Sequence, residues 1–101
     1  MGSNSLSYIG LAYRAGKTLV GTAACEAGIR KGKVRLLILQ DSISRTTKKK
    51  FVDLCSRFDI DVLTLNGYDR LGLAIGRAEI LVIGITDRGF AGAIKNTIDG
   101  G

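Results

Sequence analysis

Residues 34 to 40, Val-Arg-Leu-Leu-Ile-Leu-Gln, form a nearly continuous apolar run. A stretch without alternation cannot leave one face in water, so it predicts a central strand buried on both sides of a sheet. Such a sheet needs helices on both faces, which makes this run the strongest constraint on what the chain can fold into. The flanking segments supply them. Ser5 is expected to cap a first helix over residues 6–14, with Leu6, Ile9, Leu11 and Tyr13 on its apolar side and Gly16 at its end. A short strand, Thr18-Leu19-Val20, follows. Thr22 stands where an N-cap belongs, opening a helix from Ala23 to Lys31 that Gly32 stops.

Beyond the central strand, Ser44 is placed to cap a helix in which Phe51, Leu54, Cys55 and Phe58 recur at helical spacing, with Lys48, Lys49 and Lys50 mostly turned away from that face. Asp61 to Leu65 reads as a third strand, Asn66-Gly67 as a turn, and residues 71–76 as a short helix ending on glycine. Glu79 to Thr86 reads as the fourth strand, and Phe90, Ala91 and Ile94 mark a last helix. Four strands covered by helices predict an α/β fold, a three-layer α/β/α sandwich. At 101 residues, of which 46% are hydrophobic, the chain has enough apolar surface for one core, and residues 1–101 are read as one domain.

The apolar runs are far shorter than the roughly 20 residues a membrane span requires, so no membrane partner is expected. No secretory pattern opens the chain, and Cys25 and Cys55 make no disulfide framework, so the cytoplasm is the expected location. Charge separates the two halves. Residues 1–50 carry ten Lys/Arg against Glu26 and Asp41, whereas residues 51–101 carry five against seven acids. A positive field concentrated in this way attracts polyanions, and nucleic acid is the leading partner class.

Enzyme chemistry finds little support in the residues. The absence of histidine removes the commonest general base and the usual nitrogen metal ligand, and two cysteines 30 positions apart make neither a zinc pattern nor a redox pair. No catalytic residue, metal site, cofactor or small-molecule substrate is therefore expected. Gly10 to Thr18, with Gly16-Lys17-Thr18 at its end, imitates a phosphate-binding loop. It has five residues between its glycines where convergence of backbone N–H groups needs four, and it leaves a helix for a strand, the reverse of the required context. Cys25, near a helix start, reads as a small buried residue. Asp59 and Asp61 read as surface charge. The six aromatic residues fall mostly at core spacing and are not interleaved with the basic half, which favours recognition of folded RNA by shape and phosphate over stacking on single strands.

Several segments, taken in order, resemble the kink-turn RNA-binding ribosomal proteins of the L7Ae and L30e type. These are Ala15-Gly16-Lys17 followed by Gly21-Thr22 at a helix start, the run from Lys33 to Asp41, and residues 71–76, Leu-Gly-Leu-Ala-Ile-Gly. The Ser44 to Lys50 helix start and the Thr86 to Phe90 ending resemble the small bacterial branch. The resemblance spans nearly the whole chain. It implies an α/β/α sandwich with a four-stranded mixed sheet and an RNA site at the start of the helix after the first strand, where unpaired N–H groups and a positive dipole end face phosphate. It further implies that Gly21 lets the backbone approach closely and that Lys17 contacts phosphate beside Thr22.

The base-reading positions differ from the family pattern. Where kink-turn readers carry Gly-Thr-Asn-Glu-x-x-Lys, this chain has Gly21-Thr22-Ala23-Ala24-Cys25-Glu26-Ala27, and its three alanines cannot hydrogen-bond to sheared G·A pairs. The loop that the family lays against an extruded base becomes Arg77-Ala78-Glu79. Lys17, Arg30, Lys31, Lys33 and Arg77 remain available for phosphate. The expected function is non-catalytic binding of structured RNA, ribosomal RNA in the first place, with ribosomal or other proteins as further partners. The second reading is a protein-interaction module that keeps the fold after losing specific RNA binding.

Overall fold

The computed structural model describes the backbone of residues 2–100 and the side chains of residues 5–97. Nine elements follow one another as α1 (Gly2–Arg14), β1 (Thr18–Val20), α2 (Thr22–Arg30), β2 (Leu36–Gln40), α3 (Arg45–Arg57), β3 (Asp61–Leu65), α4 (Arg70–Ile75), β4 (Val82–Ile85) and α5 (Arg88–Gly100). The strands form one mixed sheet in the order β1-β4-β2-β3. β4 is antiparallel to both β1 and β2, and β2 runs parallel to β3 through the α3 crossover.

All five residues of β2 are buried, as an unbroken apolar run requires. Successive side chains of a strand point to opposite faces, so Leu36 and Ile38 enter one core and Leu37 and Leu39 the other. The first core gathers Ile9 and Ala12 of α1, Leu71 and Ile75 of α4, and Ala91 and Ile94 of α5 around Ile83 and Ile85. The second gathers Cys25 and Ile29 of α2 with Phe51, Leu54 and Cys55 of α3. Three helices on one face and two on the other make the three-layer α/β/α sandwich.

Local signals at several boundaries act as read. The Ser44 hydroxyl accepts from Thr47 N at 3.2 Å and caps α3. Gly16, Gly32 and Gly76 follow helices with φ near +72°, the left-handed conformation that glycine adopts without a Cβ penalty. Gly10 explains the phosphate-loop imitation. It lies within α1, where a Cβ would stand 2.7 Å from the Ala74 carbonyl oxygen, so it serves close packing of α1 on α4.

Other expectations need correction. Ser5 is no cap, because α1 already begins at Gly2 and Ser5 is buried within it. Leu11 is 45% exposed, since the buried stripe of α1 runs through Ser5, Ile9 and Ala12. Phe58 is 41% exposed, because α3 ends at Arg57 and the chain turns away before the helical period brings that ring into the core. Tyr68 is 91% exposed, so the aromatics are less uniformly internal than their spacing implies. β4 begins at Val82 instead of Glu79, because Glu79 takes a positive φ of 59° that no strand accommodates.

Candidate nucleic-acid interface

The register divides the sheet into two ends. Thr18, Ile85, Leu36 and Asp61 lie side by side at one, which Lys17 extends by accepting from Thr86 N at 2.9 Å. Val20 and Gln40 reach the other, where Gly21 N donates to Val82 O at 3.1 Å and Gln40 N to Leu81 O at 2.9 Å. Helices α2 and α3 leave β1 and β2 at this Gly21 end and run back along the same face of the sheet.

Gly21, not Thr22, is the N-cap of α2. Its φ of 96° turns the chain from β1 into the helix one residue sooner than expected, so Thr22 stands exposed in the first turn. No side chain caps this helix. The N–H groups of its first turn have no intrahelical acceptor and carry the positive end of the helix dipole. Ala23, Ala24 and Ala27 are all exposed, so the surface they form is short, uncharged and open. Arg77 lies at the same end, in the loop between α4 and β4, where its N–H closes α4 by donating to Gly72 O.

The remaining expected residues stand elsewhere. Arg30 ends α2, about 12 Å from Thr22 along a helix rising about 1.5 Å per residue, and Lys31 and Lys33 follow in the turn beyond it. Lys17 precedes β1 at that same far end. Arg30 is further engaged by Glu26 at 3.2 Å, and Lys50 of α3 reaches the same carboxylate at 2.6 Å. These two hydrogen-bonded cations, Lys50 first, hold the Glu26 carboxyl below its ordinary range. The structure therefore does not gather the seven residues into one patch. Gly21, Thr22 and Arg77 share one end, and Lys17, Arg30, Lys31 and Lys33 share the other.

Sequence reasoning overlooked Arg45 and Lys48. Both sit at the start of α3, at the Gly21 end, and neither forms an ion pair among the described residues. The signal was topological: strands ending at one edge send their following helices off from that edge. Also at this end is a cleft of about 490 Å³ whose walls include Asp41, Tyr68, Asp69, Glu79 and Leu81. Asp41 accepts from the Gln40 side-chain amide and from Gly67 N, which hold its carboxyl below the ordinary value.

Both cysteines behave as core. The Cys25 thiol donates to Leu19 O at 3.4 Å, and burial pushes it up to about 12; burial likewise pushes Cys55 up to about 11. Among the described residues no group of His, Cys, Asp and Glu is arranged to hold a metal ion, and no helix is long and apolar enough to cross a membrane. Thiols raised in the folded state stay neutral while those of the unfolded chain ionise, so the folded state binds more protons above pH 9 and loses stability as the pH rises from 9 toward 12. The urea midpoint is expected to fall across that range, and to fall less in Cys25→Ala. A midpoint with the same pH dependence in both proteins would show that Cys25 has no part in the loss.

The architecture has counterparts among known proteins. The chain is 34% identical over 96 residues to the RNA-binding protein YlxQ of Enterococcus faecium, covering 95% of this chain and 92% of that protein. It is 31% identical over 91 residues to the RNA-binding protein YlxQ of Bacillus subtilis (strain 168), covering 90% and 91%. A solved structure of a protein of unknown function from Bacillus halodurans superposes with a TM-score of 0.90 at 38% identity, covering 94% of this chain and 96% of that one. The 15.5kD RNA binding protein of Giardia lamblia, only 12% identical, shares the fold with a TM-score of 0.80, covering 98% of this chain and 85% of that one. Residues 3–94 match the Ribosomal protein L7Ae/L30e/S12e/Gadd45 family, and the chain belongs to that family.

Proposed function

We propose that this protein is a non-catalytic RNA-binding protein that presents the Gly21-Thr22 helix start to the phosphate backbone of a structured RNA, ribosomal RNA being the first candidate. The observation that carries the reading is the uncapped start of α2. Its N–H groups are free of side-chain acceptors, and its exposed first turn is flanked at the same sheet end by Arg45, Lys48 and Arg77. The names of the YlxQ relatives support the same partner class. With alanine at positions 23, 24 and 27, what remains for recognition is backbone, the Thr22 hydroxyl and charge. Lys17, Arg30, Lys31 and Lys33 stand beyond the roughly 8 Å over which charges act in physiological salt, so toward an RNA at the helix start they contribute attraction mainly at low salt.

A titration against a kink-turn RNA, and against the same RNA with its G·A pairs replaced by Watson–Crick pairs, tests this. Both RNAs are expected to bind, the kink-turn less than about tenfold more tightly, because one bidentate base contact alone is worth about 1 to 3 kcal/mol and none remains at the three alanines. Affinity is expected to fall steeply with salt, with a slope near −3 if about three phosphates are neutralised. Thr22→Glu places a carboxylate in the first turn, where it favours the helix, so the fold persists while phosphate is repelled. Binding to neither RNA at low salt would overturn the proposal and leave the protein-interaction module as the better reading.

A further inference from the structure

The positive charge that the sequence places in the first half does not collect around the helix start. Much of it lies at the Lys17 end of the sheet, where Lys17, Lys31, Lys33 and Arg35 meet Arg88 from the start of α5. The acids at this end are largely committed. Asp61 is paired with Lys95, and Asp87 accepts from Phe90 N at 2.9 Å as the cap of α5, which leaves Asp59. Lys17, Lys31, Lys33, Arg35 and Arg88 form no ion pair among the described residues.

Beside two of these cations, Arg35 and Arg88, lies a cleft of about 390 Å³. Arg35 and Arg88 stand on its walls with Phe58, Asp59, Gly92 and Lys95. Phe58, whose spacing pointed to the core, turns a 41% exposed side chain into this region. At Gly92 a Cβ would meet nothing within 4 Å, so that wall is open. The volume lies within the range of small-ligand clefts, about 300 to 1,000 Å³. Two guanidinium groups beside an exposed aromatic ring make the combination that single-stranded nucleic acid uses, charge for the phosphate and a face for the base.

We infer that this cleft is a second RNA seat, taking a single-stranded segment whose phosphates meet Arg35 and Arg88 and whose base lies against Phe58. The inference rests on the RNA-binding reading above and extends it. Because the cleft and the Gly21 helix start occupy opposite ends of the sheet, the protein would hold two RNA segments at once.

A bridging assay with the full chain tests the inference. Kink-turn RNA on beads captures the protein, and a short fluorescent oligouridine is then added. The wild type is expected to retain the oligouridine on the beads. Arg35→Glu combined with Arg88→Glu is expected to load onto the beads as before but to bind the oligouridine about 25-fold more weakly at about 0.1 M salt. That figure follows from a loss of about 0.7 in salt slope for each of two single-strand phosphate contacts, about 1.4 in all. The milder pair Arg35→Gln and Arg88→Gln, which adds no carboxylate, is expected to lose the same slope. Phe58→Leu is expected to weaken oligouridine but not an abasic strand of the same length. Equal retention by the wild type and both arginine pairs would overturn the inference. So would displacement of the oligouridine by polyglutamate as effectively as by unlabelled oligouridine, which would assign the cleft to an acidic protein. If the wild type fails to load onto the beads, the helix-start reading alone has failed. Direct titration of oligouridine against the wild type and the Glu pair then decides the cleft by the same 25-fold criterion.

Discussion

Replacing Gln40 by leucine is expected to lower stability by about 3 kcal/mol and the melting temperature by about 12 to 20 °C. Gln40 ends the central strand and is 1% exposed. Its side-chain oxygen accepts from Leu71 N at 3.0 Å, and its amide nitrogen donates to Gly67 O at 2.6 Å and Leu65 O at 3.2 Å. The bond to Leu71 is a cap supplied from 31 residues away. The N-cap residue of α4, Asp69, makes no side-chain cap bond of its own, so Gln40 satisfies a first-turn N–H that would otherwise be buried without an acceptor.

Leucine is close to glutamine in size, so little cavity opens and the change reads the polar network itself. The Leu65 carbonyl keeps a partner, because Asp41 N also donates to it at 2.9 Å. Leu71 N is left buried without an acceptor, at a cost of about 1 to 3 kcal/mol, and the part-buried bonds to Gly67 O and from the Gln40 amide to Asp41 are lost with it. Thermal unfolding followed by circular dichroism measures the sum, and hydrogen exchange at Leu71 and Gly72 locates it. A melting temperature within about 4 °C of wild type would mean that the network contributes little net stability.

Gln40 also illustrates what was legible in the sequence. Features set by neighbouring residues were readable: the double-sided burial of β2, the bounds of β3, the Ser44 cap and the glycine stops all follow from local period, hydrogen-bonding reach or backbone freedom. The polar last residue of an apolar run carries no local mark that its partners lie 25 to 31 positions away. Phe58 and Leu11 were misjudged for a related reason. Helical spacing assigns a residue to a face, but only the position of the helix end and the angle of the neighbouring helix decide whether that face is covered.

The candidate site divides along the same line. The Gly21-Thr22 helix start was legible because a glycine before a helix is a local signal, although the cap belongs to Gly21 itself. The basic residues were visible as a composition, not as an arrangement. Lys17, Arg30, Lys31 and Lys33 precede or follow the helix-start motif closely in sequence, yet one strand and one helix carry them to the opposite end of the sheet. Arg45 and Lys48, more than 20 positions beyond Gly21, return to it because β1 and β2 both point toward the same edge. Strand order and direction settle such proximities, and neither can be read from period or charge.

The largest change in RNA discrimination is expected from installing, at Ala23, Ala24 and Ala27, the side chains of the kink-turn readers that the sequence resembles. The triple variant Ala23→Asn, Ala24→Glu and Ala27→Lys keeps the Gly21 cap and acts on three exposed positions, so no buried atom has to move. A carboxylate at position 24 lies in the first turn of α2, where it favours the helix dipole, and offsets part of the small propensity loss on leaving alanine. Stability is therefore expected to change by less than about 1 kcal/mol. Recognition should change far more. An amide and a carboxylate facing guanine donors, and a lysine facing acceptors, supply about two bidentate-class contacts worth about 1 to 3 kcal/mol each. Preference for a kink-turn over its Watson–Crick counterpart is then expected to rise by at least about thirtyfold, the equivalent of about 2 kcal/mol. The salt slope for the kink-turn should stay nearly constant, because only one charge of each sign is added and base contacts release no counterions. A triple variant that folds and gains no preference would show that the backbone around Gly21 does not seat a kink-turn, whatever side chains it carries. A gain in affinity equal for both RNAs, with a steeper salt slope, would show that the lysine had met phosphate and not a base.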